Sequence, residues 1–271
     1  MSGDLAALRL LIEWGADEVL ADETLDHFTA TLRVGDTVRA LPPLVVTASP
    51  DARSRLPQLA SAPARGTALG TAQAARALAA SAATLEALHL AMDGFDGCPL
   101  RTTATHTVRP SGDATAGLVL IAEAPGADDD RTGQAFAGAP GRMIDQVLAS
   151  IGLDRSRVLL THLVPWRPPG SRAPNEAEIQ ACLPFLHRLL SLTRPERILL
   201  AGAGPARALA GATDGVRRLR GRWLPVAIEG RDAPAQALLL PPPDQWLRSS
   251  TAKRALWLDL LELRQNPGQT V

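Results

Sequence analysis

The sequence of 271 residues has no tyrosine, a single lysine, two cysteines and only 3% aromatic residues. Two cysteines are too few for a disulfide framework or for a four-cysteine metal or cluster site. No apolar run approaches the roughly 20 residues that cross a bilayer. The N-terminus has acids inside its apolar stretch and no basic start, unlike a signal peptide. We therefore expect a cytoplasmic protein that does not associate with membranes.

A charge excess of either sign is also missing, because 28 basic residues balance 28 acidic ones. Backbone binders of nucleic acid are usually basic, but a global sum does not exclude a local binding face. All basic residues except Lys253 are arginine. This bias is mainly compositional, and a role in phosphate recognition is expected only where arginines cluster, as they do over residues 217–222.

The chain divides by composition near residue 94. Residues 4–14 have the apolar spacing of a short amphipathic helix, and residues 71–92 have strong helix propensity. Between them, residues 41–70 are rich in Pro, Ala and Ser, which is typical of a linker. We expect N-terminal helices with a linker over residues 1–94, a folded domain over residues 95–266, and a disordered tail over residues 267–271.

The second part alternates short apolar runs with helical segments. Such alternation predicts an α/β fold with a parallel or mostly parallel sheet covered by helices. Ligands bind such sheets beyond the carboxyl ends of the strands, so the loops after the first, second and last strands are the candidate sites. Strands are predicted over residues 118–121, 158–160, 198–200, 226–228 and 237–240, and helices over residues 142–151, 175–193, 205–210 and 251–264.

The loop after the first strand carries four carboxylates, Glu123 and Asp128–Asp130. Mutual repulsion predicts that they meet a cation or a positively charged transition state, or else face water. The three aspartates also fit a solvated turn with helix-capping acids. Glu123 lies directly at the end of a buried strand, which favours a functional role. Phe136, between small residues, is either a stacking platform or a core residue.

Four motifs in order resemble the uracil-DNA glycosylase superfamily. They are EAPG-A-DDD-x-x-G-x-x-F-x-G from residue 123, IGLDRSRV from residue 151, RPPGSRAPNEAEIQACLPFL from residue 167, and RLRGRW from residue 218. The resemblance covers residues 95–264 and is greatest to the type-4 group, the iron–sulfur enzymes. It implies a three-layer α/β/α sandwich with a central, mostly parallel sheet of four to five strands.

The resemblance also implies roles for individual residues. Enzymes of this family flip uracil out of DNA and hydrolyse its glycosidic bond. Glu123 and Asp129 match the acids of the catalytic loop. The base pocket would comprise Ala124, Pro125, Gly126, Phe136 and His162. Residues expected to contact single- or double-stranded DNA are Arg167, Arg172, Arg220, Arg222, Trp246, Leu247 and Arg248. Trp246 would wedge into the duplex or, alternatively, anchor the final helix.

The cluster site of the family is incomplete. Phe95 and Trp166 stand where two of its four cysteines would be, and only Cys98 and Cys182 remain. Two thiolates cannot hold a four-iron cluster. We therefore predict that the chain contains no metal and no cofactor, and that aromatic packing fills the volume.

Two further departures affect the pocket. His162 replaces the family's asparagine and cannot present the paired donor and acceptor of an amide. Pro242 stands at the position of the family's histidine and has no donor. The chain is then either a monomeric glycosylase of weak or altered activity, or an inactive member that binds DNA or a protein partner. A third alternative is a dinucleotide site in the glycine-rich turn of residues 201–206, with Glu229 as the ribose acid.

Overall fold

A computed structural model describes residues 68–212 and 216–265. The helix predicted over residues 4–14, most of the predicted linker and the predicted tail lie outside these residues. Residues 68–265 fall within one compact unit. No helix among the described residues is both long and apolar enough to cross a membrane.

A six-stranded sheet in the order β1-β3-β2-β4-β6-β5 forms the centre of the fold. The four inner strands are parallel to one another, and the two edge strands pair antiparallel. The prediction of a mostly parallel sheet is confirmed. The strands are β1 (Ser111–Gly112), β2 (Leu118–Ala122), β3 (Leu159–His162), β4 (Arg197–Ala201), β5 (Trp223–Val226) and β6 (Ala235–Leu240).

The central strand β2 is buried along its whole length, which explains its continuous apolar sequence. Its side chains alternate between two cores. Val119 and Ile121 enter one core, whereas Leu118 and Leu120 enter the other. The sheet is therefore covered on both faces, as the resemblance implied.

Helices complete the two outer layers. Helices α1, α2, α5 and α6 contribute to the first core, and α4, α8 and α9 contribute to the second. The helices are α1 (Ala68–Ser81), α2 (Leu85–Gly94), α3 (Ala127–Thr132), α4 (Ala139–Ser150), α5 (Glu176–Thr193), α6 (Ala203–Ala210), α7 (Val216–Leu219), α8 (Pro243–Arg248) and α9 (Ser250–Gln265).

The segment predicted as one helix over residues 71–92 forms two helices. Helix α1 ends at Ser81, and Thr84 caps α2 by accepting a hydrogen bond from the Ala87 N–H. Both helices pack on α5 and bury residues such as Ala75 and Leu88 in the core that also contains β2. The compact unit thus extends N-terminal to the boundary predicted at residue 94.

Helix α5 begins where the sequence predicts. Asn175 accepts a hydrogen bond from the Glu178 N–H, and Glu178 accepts one from the Asn175 N–H. This reciprocal pair satisfies two of the donors that a helix start leaves free. It also fixes the end of the preceding loop, which borders the candidate site.

Candidate functional site

A pocket of about 350 Å³ lies at the carboxyl ends of the parallel strands. It is lined by residues 122–129 after β2, by Phe136, by His162 at the end of β3, and by residues 171–174 and 242–244. Its volume falls within the range of small-molecule sites. The structure therefore brings together Glu123, Ala124, Pro125, Gly126, Asp129, Phe136 and His162, the seven residues expected to form the catalytic acids and base pocket.

Glu123 is the first residue after β2 and is half-buried at the pocket. Burial raises the pKa of its carboxyl group, the nearby Arg207 lowers it, and Asp244 raises it. Within residues 68–212 and 216–265, no donor makes a hydrogen bond to its side chain. Gly204 leaves room for the Glu123 carboxylate because it has no side chain. A Cβ at residue 204 would lie 2.5 Å from Glu123 Oε1.

Asp129 is buried and is held by its own loop. Its Oδ2 accepts a hydrogen bond from the Gly126 N–H at 3.0 Å, and its Oδ1 accepts one from the Ala137 N–H at 2.8 Å. The amide of Gly126, a member of the expected base pocket, therefore donates inside the loop. Asp129 Oδ2 also lies 3.4 Å from His162 Nε2.

The other two aspartates have different surroundings. Asp128 is exposed and pairs with Arg131 at 3.1 Å. Asp130 is buried, and its carboxylate accepts hydrogen bonds from the Thr105 and His106 N–H groups and the Thr105 hydroxyl. Asp128 thus fits the solvated turn expected from the sequence. Asp130 instead holds in place the segment at Thr105 and His106, which lies 25 residues earlier in the chain.

His162 is buried between the acid loop and an aromatic ring. Burial lowers the pKa of its imidazole to about 4, although the Asp129 carboxylate raises it. Its ring is stacked on Phe136, with centroids 5.2 Å apart and planes at 12°. Its Nδ1 is buried and has no hydrogen-bond partner among the described residues. His162 is therefore a neutral ring at physiological pH.

Phe136 is a core residue that also lines the pocket. It is 2% exposed, and it stacks on Trp246 at 6.5 Å as well as on His162. Its backbone has a positive φ of 56°, and Arg155 donates a hydrogen bond to its carbonyl oxygen. The ring is thus fixed in place before any ligand binds.

Trp246 is fully buried and donates a hydrogen bond from Nε1 to the Pro241 carbonyl at 2.8 Å. A side chain with no exposed surface does not contact DNA, so the expectation of a wedge is corrected in favour of an anchor for α8. The next two residues, Leu247 and Arg248, are exposed. They are the part of this segment that remains available to a partner.

Two of the predicted DNA-binding arginines lie in the loop before α5. Arg172 lines the pocket and donates two hydrogen bonds, of 2.8 and 2.6 Å, to the buried Glu178 carboxylate. Arg167 donates to Ser171, and its Nε is buried without a partner among the described residues. Both guanidinium groups therefore support this loop.

The other two, Arg220 and Arg222, lie between α7 and β5. Arg220 pairs with the buried Asp259 at 3.0 Å, which ties it to α9. Burial raises the pKa of Asp259, and Arg220 lowers it. Arg222 is exposed and forms no ion pair with any described residue. Of the two, Arg222 is the one with a free guanidinium for a phosphate.

Pro242 lines the pocket, and its Cβ lies 3.5 Å from the position of a Cβ on Gly202. The glycine-rich turn considered as a dinucleotide site therefore packs against Pro242 and, through Gly204, against Glu123. A pyrophosphate beside the Glu123 carboxylate would be repelled. The turn instead provides room for the two pocket residues.

The sequence reasoning did not identify three residues that affect the pocket. Arg207 and Asp244 act on Glu123 electrostatically. Arg155 pairs with Asp145 and holds the Phe136 carbonyl. The motif IGLDRSRV includes Arg155, but its contacts join segments distant in sequence and leave no local pattern. The glycine-rich turn, for which a dinucleotide site was the alternative, leaves room at Gly202 and Gly204 for Pro242 and Glu123.

Comparison with known proteins gives several similar chains. A type-4 uracil-DNA glycosylase of Pyrobaculum aerophilum is 37% identical over 125 residues, which is 46% of this chain and 64% of the relative. That of Archaeoglobus fulgidus is 34% identical over 53% of this chain and 74% of the relative. That of Thermotoga maritima is 33% identical over 39% and 55%. The chain thus spans about half to three quarters of these relatives.

These relatives correct one expectation. The prediction that the protein has no cofactor is wrong, because the relatives are type-4 enzymes, an iron–sulfur group. Among the described residues, no group of three or more His, Cys, Asp or Glu is placed to hold a metal ion. Cys98 and Cys182 supply two thiols, and Phe95 and Trp166 stack 6.3 Å apart. This donor set does not match a four-cysteine cluster.

A family model describes more of the chain than most of these alignments. The model of the uracil DNA glycosylase superfamily matches residues 109–261, which include the pocket from Glu123 to Asp244. The matched part is more than half of the 271 residues. The chain therefore belongs to the uracil DNA glycosylase superfamily.

Proposed function

We propose that the protein is a DNA glycosylase that hydrolyses the N-glycosidic bond of a flipped uracil or a related deaminated base, with weak or altered activity. The observation that carries the proposal is the Glu123 carboxylate, which is half-buried and receives no hydrogen bond from the part of the chain that the structure describes, in a pocket that also contains a fixed aromatic ring. A carboxylate that the protein leaves unsatisfied is available to a developing positive charge or to a water molecule.

The reaction places opposite charges on the two parts of the substrate. As the bond breaks, the sugar acquires oxocarbenium character and the base acquires negative charge. Ionised Glu123 stabilises the sugar or accepts a proton from the attacking water, which adds to the sugar carbon. Its pKa is raised by burial, so we expect activity to require a higher pH than an exposed glutamate would. Arg207 opposes this shift and helps to keep the carboxylate ionised.

Phe136 forms a fixed wall of the pocket rather than a stacking platform for the base, because it is 2% exposed and its ring already stacks on His162 and Trp246. The ring is held by Arg155 through its backbone and by Trp246 behind it. Asp129 belongs to this supporting structure, since its oxygens are engaged by backbone amides and face His162. We therefore assign Asp129 a positioning role.

The weak or altered activity follows from Pro242 and His162. Pro242 offers no donor to the base, and the loss of one such donor typically costs about 2.7–4 kcal/mol of transition-state stabilisation. His162 is neutral, and its Nε2 faces an acceptor-only carboxylate. It therefore does not present the paired contacts that distinguish uracil from cytosine in the family. Specificity for a single base is expected to be low.

The same two residues favour a second candidate function, that of an inactive member that binds DNA or a protein partner. Binding to DNA would then use exposed residues around the pocket, such as Arg222, Leu247 and Arg248. In this case the pocket geometry would be retained without turnover.

One assay separates the two functions. The protein is incubated with single- and double-stranded oligonucleotides that contain uracil, hypoxanthine or xanthine, and abasic sites are then cleaved with alkali. We expect cleavage that is lost in Glu123→Gln and retained in the matched control Glu86→Gln, an exposed glutamate on α2. Absence of cleavage with every base would refute the enzymatic proposal. Salt-sensitive DNA binding in that case would support the second function.

A further inference from the structure

Two imidazole rings from different parts of the chain line one small cavity. His89 lies on α2, and His162 lies at the end of β3. The cavity has a volume of about 30 Å³, and Thr161 also lines it. Most of its remaining lining is apolar. Of the residues around this cavity, His162 is the one that also lines the larger pocket, so its ring forms part of the wall between the two spaces.

The two nitrogen atoms of His162 have different surroundings. Nε2 lies 3.4 Å from Oδ2 of Asp129, a residue of the larger pocket. Both oxygens of Asp129 already accept hydrogen bonds, so the hydrogen of the neutral His162 ring lies on Nε2 and the lone pair lies on Nδ1. Nδ1 is buried and receives no hydrogen bond from the described part of the chain. Because the two ring nitrogens point in widely different directions, Nδ1 is directed away from Asp129, on the side of the small cavity.

His89 presents a matching group to the same cavity. Its Nε2 is also buried, and no residue in the ranges 68–212 and 216–265 forms a hydrogen bond with it. Burial and the charge of Arg109 lower the pKa of the His89 imidazole, whereas Asp93 and Glu86 raise it. Buried polar atoms in folded proteins nearly always have a partner, either in the protein or in ordered water. Two such nitrogen atoms at one cavity therefore indicate a shared partner.

The size of the cavity selects water as that partner. A single water needs roughly 10–15 Å³ measured in this way, so the 30 Å³ cavity admits one or two waters and no organic ligand. A buried water typically makes about three hydrogen bonds. The nitrogens of His89 and His162 and the hydroxyl of Thr161 supply that number of polar groups.

We propose that this cavity is a water site that links His89 to His162, and that His89 is thereby a positioning residue for the pocket. The water donates a hydrogen bond to His162 Nδ1 and so holds the ring in the form that carries its hydrogen on Nε2. That hydrogen points to Asp129, and the face of the ring stays against Phe136. The importance of this wall for turnover rests on the proposed function, whereas the water site itself does not.

The proposal gives α2 a part in the pocket. This helix (Leu85–Gly94) lies N-terminal to residues 109–261, which the family model matches. His89 reaches the pocket through the water and His162, and it does not line the pocket itself. The orientation of a pocket residue is thus set from a segment outside the family match.

The test uses the full chain with isotope-labelled histidine. The chain has five histidines, so loss of one signal in His162→Asn assigns His162 in a proton–nitrogen correlation spectrum. In the wild type we expect a hydrogen on Nε2 and an Nδ1 resonance typical of a nitrogen that accepts a hydrogen bond. We expect this resonance to move downfield in His89→Leu and to return towards its original position in His89→Gln, which keeps a polar end. His187→Leu, at an exposed position of α5, is the matched control and should leave it unchanged.

A high-resolution crystal structure of the wild type should also show water within hydrogen-bond distance of both nitrogens. The proposal is overturned if the wild-type ring carries its hydrogen on Nδ1, if the crystal shows no water there, or if elemental analysis finds a metal ion that is lost in His89→Gln. An Nδ1 resonance that is the same in folded His89→Leu and in the wild type would also overturn it. If His89→Leu does not fold, the wild-type measurements and His89→Gln decide. All readouts come from the free protein, so a lack of base cleavage would refute the proposed function and leave this inference standing.

Discussion

Gly204 determines where the Glu123 carboxylate can lie, and its replacement by alanine tests the role of that carboxylate. An added Cβ would be 2.5 Å from Oε1 and 2.8 Å from Cδ of Glu123. Ordinary contact begins at 3.4 Å, so the carboxylate must move by the difference, about 0.9 Å. A misplacement of about 1 Å at a reacting group can cost roughly 10²-fold in rate.

Stability is expected to change in the opposite direction. Gly204 is the second residue of α6, where alanine is favoured over glycine by about 0.5–1 kcal/mol. The atom that the new methyl group meets is the end of a flexible side chain, which can turn away. Gly204→Ala should therefore lower kcat by about 10²-fold while Tm stays the same or rises. Gly94→Ala is the matched control, because nothing lies within 4 Å of its added Cβ.

Single-turnover cleavage of a uracil oligonucleotide measures the rate, and thermal unfolding measures the stability. A Gly204→Ala variant with the rate of the wild type would refute the reasoning. So would an equal loss of rate in the Gly94→Ala control.

Other consequences of the site can be measured independently. Pro242→His would supply a side-chain hydrogen-bond donor, and the backbone φ of −69° at this position is one that any residue adopts. We expect the cleavage rate to rise by up to about 10²-fold. No gain in rate would show that this position does not face the base. Burial lowers the pKa of His162 to about 4 from 6.5, so the folded protein binds a proton at this ring less readily than the unfolded chain does. The free energy of unfolding is therefore highest above pH 6.5 and falls by about 3 kcal/mol towards pH 4. Urea unfolding between these pH values should show this decline in the wild type and a shallower one in His162→Asn. Arg222→Ala should remove about one phosphate contact from duplex binding, which would make the slope of the log binding constant against log salt concentration shallower by roughly 0.9. Lys253→Ala, an exposed control of the same charge, should leave this slope unchanged.

The sequence predicts most of the sheet because buried parallel strands have continuous apolar runs. Residues 118–121, 198–200 and 237–240 all lie in observed strands. The fifth strand is predicted over residues 226–228 but is found at Trp223–Val226. It is an edge strand that contains the exposed Pro225, and a proline inside an apolar run argues against a strand unless the strand lies at an edge, which the sequence does not reveal. The two-residue β1 is too short for any pattern.

The site is predictable where a residue directly follows a strand and less so where tertiary contacts decide. Glu123 is identified by its position after a buried strand and His162 by the resemblance, and the parallel strands bring both to one edge of the sheet. The burial of Trp246 depends on Phe136, 110 residues earlier, which stacks on it. Arg220 forms an ion pair with Asp259 of α9. No local sequence pattern predicts such distant partners.

Hydrogen-bond donors, rather than the number of acids, distinguish the reactive group of the acid loop. Asp129 and Asp130 each accept two backbone N–H bonds, and Asp128 has the guanidinium of Arg131. These contacts disperse the charge of three carboxylates within the protein itself, which relieves their repulsion. Glu123 is the acid of this loop whose carboxylate is left without a donor among the described residues, and it is also the one at the end of the central strand. A positive charge that develops in the pocket therefore meets one carboxylate with unsatisfied oxygens, and that carboxylate is the one whose removal should abolish cleavage.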